Sequence, residues 1–355
     1  MTPTLRRLGV AVAAAALLVL TACSSSDSDN EAGPSESGAP VTSTDGAFPV
    51  TLEHKFGSTT IESEPQRVVS VGFHEQDWLY ALGVAPVAVR EWYNGYDYAT
   101  WPWADEARIA VGAEPEVLPG GEINIEQVAA LEPDLIVATW SGITQEQYDL
   151  LSQIAPVVAQ GGEWEDYGMP FEEETRMIAK ALGKVDEGEK LISDLEARFE
   201  AVRTEHPEWE GKTAAVGFVY EGQPGVYFSY DPRAAFLGRL GLDVTAPDSI
   251  GDPSTDFFLT VSPERLDLLD FDTIVWLTAL SPDTRSLVEA IPSYPNLNIT
   301  KTGGHVWSTD AVFEGAFSFA SPLSQAYVLD TVVPQLEAAL DGDPATEVPG
   351  NEAAA

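Results

Sequence analysis

Residues 124–137 (Asn-Ile-Glu-Gln-Val-Ala-Ala-Leu-Glu-Pro-Asp-Leu-Ile-Val) lie without a gap over residues 262–275 (Ser-Pro-Glu-Arg-Leu-Asp-Leu-Leu-Asp-Phe-Asp-Thr-Ile-Val), at a constant offset of 138 positions. Identities fall at Glu126/Glu264, Leu131/Leu269, Asp134/Asp272, Ile136/Ile274 and Val137/Val275. Each copy opens on a helix-capping residue, Asn124 or Ser262, the second followed by Pro263 at the favoured first helical position. Each then runs straight into an apolar strand. The two halves of the chain are therefore alike, and each sets a glutamate in the first turn of a short helix. That placement has a bland explanation, a carboxylate complementing the helix N-terminus. Matched surface acids on two lobes equally suit a two-fold symmetric partner.

Between the copies, Leu191, Leu195, Phe199 and Val202 recur at helical spacing, so one narrow apolar stripe runs down a helix from Asp186 to Glu205. Glu189, Lys190, Asp194, Glu196, Arg198, Glu200 and Arg203 occupy its other faces. At ~1.5 Å per residue such a helix spans about 30 Å, close to the width of a small domain. The pattern predicts a strut joining two bodies rather than a core element.

The body before the strut alternates strand and helix: strands at 68–71, 86–89, 135–138 and 157–159, with helices at 78–82, 125–131 and 145–154. Ligands gather in such sheets where loops leave the carboxyl ends of strands. Those loops carry His74 after the first strand, Arg90, Trp92 and Tyr93 after the second, and Trp140 after the third. Between Arg67 and Gln160 the only lysines or arginines are Arg67, Arg90 and Arg108, so an arginine at a strand end stands out. Tyr98, Trp101 and Trp103 extend the aromatic loop and suit a core or a ligand equally well. Beyond the strut come strands at 214–220 and 226–230, a helix at 234–240, a strand at Val306-Trp307, and an aromatic loop of Phe313, Phe317 and Phe319. An amphipathic helix from Pro322 to Leu340 closes the body, and Pro334 inside it predicts a kink or break.

The N-terminus reads as an address. Arg6-Arg7 and an apolar run from Leu8 to Leu20 form a secretory signal rather than a membrane span. Leu20-Thr21-Ala22-Cys23 resembles the lipobox of bacterial lipoproteins, and Cys23 is the single cysteine. A plain signal peptide with an incidental Cys is the alternative. The expected organisation is a signal peptide at 1–22, a flexible tether at 23–47, an α/β lobe at 48–168, a connecting helical segment at 169–208, a second α/β lobe at 209–340 and a disordered tail at 341–355. The protein is thus expected outside the cytoplasm, anchored to the cell membrane by lipid at Cys23. With 57 acidic against 18 basic residues the formal charge is −39, which excludes nucleic acid as a partner.

No Gly-x-Ser-x-Gly elbow, phosphate-binding glycine loop or Cys-x-x-Cys pair is present. Of the four histidines only His74 and His305 could pair, too few ligands for a protein-built zinc site. The reading is a binding protein without resident metal or cofactor; a secreted α/β hydrolase with an unrecognised site is the alternative from another class.

Lipobox, tether, two α/β lobes, connecting helix and the Asn124–Val137 motif together resemble the substrate-binding lipoproteins of iron–siderophore ABC importers, the helical-backbone class of periplasmic-type binding proteins. Arg67-Val68-Val69-Ser70, Glu91-Trp92-Tyr93, Trp140 to Thr144, Ser152 to Val158 and Ser318-Phe319-Ala320-Ser321-Pro322 agree with it. The resemblance implies two parallel-sheet lobes joined by one long rigid helix, a monomer, and a ferric siderophore in the cleft between lobes. By position it places His74, Arg90, Trp92, Tyr93, Trp140, Tyr220, Tyr230, Arg233 and Trp307 in that cleft, and Glu126 and Glu264 against arginines of a permease dimer. A ferric siderophore holds iron with its own oxygens, so aromatic walls and arginines would suffice. Two arginines amid many aromatics suit a hydroxamate or mixed chelate better than a tris-catecholate. Haem or a corrinoid, which the same fold carries, is the alternative cargo.

Overall fold

The structure is a computed structural model describing residues 47–279 and 281–351. The expected signal peptide, Cys23 and all of the tether but Ala47 lie outside the described residues. The first lobe opens with the antiparallel hairpin β1 (Val50–His54) and β2 (Gly57–Ile61). Then follow β3 (Val68–Ser70), α1 (Gln76–Ala81), β4 (Ala88–Arg90), α2 (Asp105–Ala110), β5 (Glu116–Leu118), α3 (Ile125–Ala130), β6 (Leu135–Ala138), α4 (Gln145–Leu151) and β7 (Val157–Ala159). The sheet runs β5-β4-β3-β6-β7 with every pair parallel. Helices cover both faces of such a sheet, so β3, β6 and β7 are buried along their whole length, and β6 and β7 read as unbroken apolar runs.

Two helices, α5 (Phe171–Ala181) and α6 (Val185–Glu205), lead to the second lobe. It comprises β8 (Ala214–Tyr220), β9 (Gln223–Tyr227), α7 (Pro232–Arg239), β10 (Phe258–Thr260), β11 (Thr273–Leu277), α8 (Thr284–Glu289), α9 (Asn298–Thr302), β12 (His305–Ser308), α10 (Ala311–Phe319) and α11 (Pro322–Ala339). Its sheet order, β10-β9-β8-β11-β12, repeats that of the first lobe, with β11 standing where the offset of 138 sends β6. The sheet is mixed, because β9 returns antiparallel beside β8. Glu221 and Gly222 both have positive φ, the geometry of a two-residue hairpin turn, and a tight turn reverses the strand where a crossover helix would keep it parallel.

The repeated helices differ too. Asn124 caps α3, its side chain accepting the Gln127 N–H at 3.0 Å. Pro263–Leu269 is a 3-10 turn interrupted at Arg265, and the Ser262 side chain makes no cap bond; its carbonyl accepts the Arg265 N–H at 2.7 Å instead, tightening the turn.

The connecting helix is not a free strut. Gly188, Ile192, Leu195 and Phe199 are its buried residues, whereas Leu191 and Val202 of the expected stripe are only half-buried. A side chain on Gly188 would overlap the Cβ of Ala179, so α5 and α6 touch backbone to backbone there. Leu195 and Phe199 join a core that includes Val68 and Leu135 of one lobe with Ala214, Val216 and Leu336 of the other. The polar faces are also engaged: Arg176 bonds Glu189 at 2.7 Å across α5 and α6, and Arg198 bonds Asp330 of α11 at 2.6 Å.

Three further expectations change. Residues 313–319 are helical, with Asp310 capping α10 at the Val312 N–H (2.8 Å) and Phe313 and Phe317 one turn apart in the core. Helix α11 continues through Pro334, so of the expected kink or break it is the break that does not occur. The expected disordered tail is packed as far as Asn351, whose side chain accepts the Trp307 N–H at 2.5 Å and donates to the His305 carbonyl at 2.8 Å, while Val348 is buried. Asn351 thus satisfies peptide groups on the free edge of β12, where an unpaired strand would leave them open.

Candidate functional site

The carboxyl ends of β3, β4 and β6 deliver His74, Trp92, Tyr93 and Trp140 to one place. Trp92 packs at 5.1 Å from Trp140, 4.9 Å from Phe319 and 5.0 Å from Tyr93, and Trp140 lies 4.9 Å from Tyr167. Facing them from the second lobe are Tyr230, Phe236 and Arg239. Between the two groups lies a cavity, open to solvent, whose walls include His74, Trp140, Met169, Tyr230, Arg239 and Phe319.

His74 anchors the floor. It is 2 % exposed, stacks on Trp140 at 4.3 Å, and sets Nδ1 2.6 Å from the Phe319 carbonyl and Nε2 3.0 Å from Glu174 Oε1. Both partners are acceptors, so only the doubly protonated imidazolium satisfies both. Burial alone would lower the His74 imidazole; Glu174 beside it overrides that, and the net shift is upward. Thr139 donates to Glu174 Oε1 at 2.7 Å. Glu75, wholly buried, accepts the Trp140 N–H at 2.9 Å, and burial raises its carboxyl against the opposing pull of His74. Asp77 accepts from Trp103 Nε1 at 2.8 Å and from the Ser321 hydroxyl, tying α1 to the start of α11; burial pushes it up to about 6.

Arg233 forms a fork-to-fork pair with Asp231 at 2.8 Å on both arms and stacks on Tyr227 at 3.7 Å. Burial drives the Tyr93 hydroxyl upward, and the Arg233 guanidinium opposes it. Tyr230 is 48 % exposed and donates to the Asp256 carbonyl at 2.7 Å. Tyr220, 55 % exposed, stands at the end of β8 beside Phe258, away from the cavity wall.

Arg90 and Trp307, like Tyr220, belong elsewhere than the cavity wall. Arg90 is buried against Phe73 and spends its guanidinium on the carbonyls of Val71 (3.1 Å), Gly120 (3.2 Å) and Gly121, so it fastens loops together. Trp307 is 2 % exposed and stacks on Trp276 at 5.1 Å. The two are register partners on β12 and β11, which puts them on one sheet face, inside the second lobe's own core with His305. His305 receives the Trp276 indole N–H at 3.1 Å and is pushed down to about 3 by burial, so it and His74 serve separate lobes rather than pairing. Trp101 and Trp103 resolve as packing residues, stacked at 4.8 Å with Trp101 flat against Gly315 of α10.

A model of the family described as periplasmic binding protein matches residues 68–303, from the start of β3 to the turn before β12. The chain belongs to that family. This binding protein is similar to a periplasmic solute binding protein of Mycobacterium smegmatis of known structure (37 % identity, TM-score 0.70, covering 82 % of this chain and 98 % of that one). It is similar as well to PiaA of Streptococcus pneumoniae, solved in complex with ferrichrome (26 % identity, TM-score 0.71, 82 % and 99 %). Among curated proteins, the probable siderophore-binding lipoprotein YfiY of Bacillus subtilis is 28 % identical over 239 residues, 64 % of this chain and 68 % of that one.

Glu174, Arg239, Met169 and Gln325 also line the binding protein's cavity without having been singled out from the sequence. Glu174 left a signal: Phe171, Glu174, Thr175 and Ile178 share the buried stripe of α5, and an acid on an apolar stripe calls for a buried partner. Arg239 carried none, since a basic residue in a helix's last turn has an electrostatic explanation of its own.

Proposed function

We infer that this binding protein is the extracytoplasmic substrate-binding component of an ABC importer and that its cargo is a ferric siderophore held between the lobes. The observation that carries this is the solvent-open cavity between two similar lobes, walled by Trp140, Tyr230, Phe236 and Phe319. Aromatic walls suit the organic shell of a chelate, and the chelate brings its own iron, so the protein supplies neither a metal ligand nor a chemical step. PiaA, similar over 82 % of this chain, was solved with ferrichrome. Cys23 would carry the lipid that keeps the protein, as a monomer, on the outer side of the cell membrane. Glu126 and Glu264, both exposed, would meet a permease dimer.

Intrinsic tryptophan fluorescence tests the reading, because Trp92 and Trp140 sit at the site. Titration with a panel of ferric chelates, haem and cobalamin should give saturable quenching by at least one ferric chelate. Binding of haem or cobalamin alone, visible in the absorption spectrum, would replace the cargo.

A further inference from the structure

Arg239 in the cavity wall and Arg233, which shares α7 with the wall residues Pro232, Ala235 and Phe236, are already engaged by the chain itself. Arg233 is held on both arms by Asp231 at 2.8 Å. Arg239, in the cavity wall, donates to Gln325 at 2.7 Å and lies 3.2 Å from Glu196 and 3.5 Å from Glu172. Arg203 adds a second cation on Glu196 at 2.6 Å, and Glu174 balances His74. By sign, these groups leave no net positive charge for a ligand. Beyond them, the chain carries a formal −39, a field that disfavours approach of anions within the Debye length of about 8–10 Å.

Chelate chemistry makes this consequential. Three singly ionised hydroxamates neutralise a ferric ion, whereas three doubly ionised catecholates leave a trianion. A trianion entering here would shed water without gaining a free cation, or would have to break a bidentate pair. We propose that Asp231, with Glu172, acts as a charge filter: by occupying the α7 arginines Arg233 and Arg239 these acids restrict the site to ferric chelates without net negative charge, of the trihydroxamate kind. This inference rests on the siderophore reading above. Asp231 is also the N-cap of α7, accepting the Arg233 N–H at 3.0 Å. Asn caps as well as Asp does, so Asp231→Asn removes the charge and keeps the helix start.

The test is fluorescence titration of the wild-type protein, Asp231→Asn and Glu172→Gln with a ferric trihydroxamate, a ferric tris-catecholate and ferric citrate, with circular dichroism checking each fold. The wild type should bind the trihydroxamate at least about tenfold more tightly than either anionic chelate, and each variant should narrow that ratio severalfold. Equal affinities, or a preference for the tris-catecholate, would overturn the filter and leave the siderophore reading standing. An unchanged ratio in both folded variants would overturn the assignment to these acids. Silence towards all three ferric chelates would instead remove the siderophore reading, and the filter with it.

Discussion

Asp134 accepts the backbone N–H of Arg67 at 2.7 Å and so fixes the chain one residue before β3. The same carboxylate takes the Gln66 N–H at 2.8 Å. Its repeat mate, Asp272, accepts the Thr213 N–H at 2.7 Å and the Thr213 hydroxyl at 2.8 Å, again one residue before the central strand of its sheet. The repeated Asp therefore clamps the entry of the middle strand in each lobe, and the identity at offset 138 has a structural cause. Replacing either by Ala orphans two donors. Hydrogen bonds to a charged group are worth about 1.5–3 kcal/mol, less at an exposed site. Asp272→Ala, half-buried, should lose about 2 kcal/mol and the exposed Asp134→Ala about 1, read from urea midpoints.

Gly188 sets helix propensity against packing. In an exposed helix Gly→Ala gains about 1 kcal/mol. Here the added methyl would overlap Ala179, and overpacking a tight contact costs about 1–3 kcal/mol. Packing should win: Gly188→Ala is expected to lower the unfolding midpoint, and the double variant with Ala179→Gly to recover most of the loss. A stabilised single variant would show that α5 and α6 slide apart freely.

Glu314 is buried and accepts the backbone N–H groups of Thr278 at 2.6 Å and Ala279 at 2.8 Å on one oxygen; burial pushes it up to about 7 from 4.5. A folded value above the unfolded one means stability present at pH 4.5 and lost as pH rises through 7. Glu314→Gln keeps the accepting oxygen and removes the ionisation. It should match wild type near pH 4.5 and exceed it by about 2–3 kcal/mol near pH 8, seen in paired unfolding curves. His305, pushed down to about 3, gives the opposite slope between 3 and 6.5 in both proteins and cancels in the difference.

Glu126 and Glu264 are exposed and line no part of the inter-lobe cavity. The double charge reversal Glu126→Arg, Glu264→Arg should leave chelate affinity within about twofold and abolish uptake by cells. Loss of chelate affinity in the purified variant would contradict the docking role.

The parallel sheet of the first lobe was legible because β6 and β7 are buried on both faces and carry that burial as unbroken Leu-Ile-Val-Ala and Val-Val-Ala runs. β5 and β10, three-residue edge strands, have too little pattern to read. Trp92, Tyr93 and Trp140 were legible as strand-end aromatics. Arg90 and Trp307 were misplaced by the same reasoning, since position along a strand does not say which way a side chain points or what has already engaged it.

Local pattern by itself determined the two alike halves, the strand ends that carry the site and the 21-residue helix between them, because backbone propensity and burial periodicity act over neighbouring residues. Only the tertiary structure decided that this helix shares a core with both lobes, that β9 runs backwards, that His74 meets Glu174 a hundred residues away, and that Arg233 and Arg239 are paired with the protein's own acids. Those outcomes depend on contacts between distant segments, where shape and charge are matched only after the chain has folded.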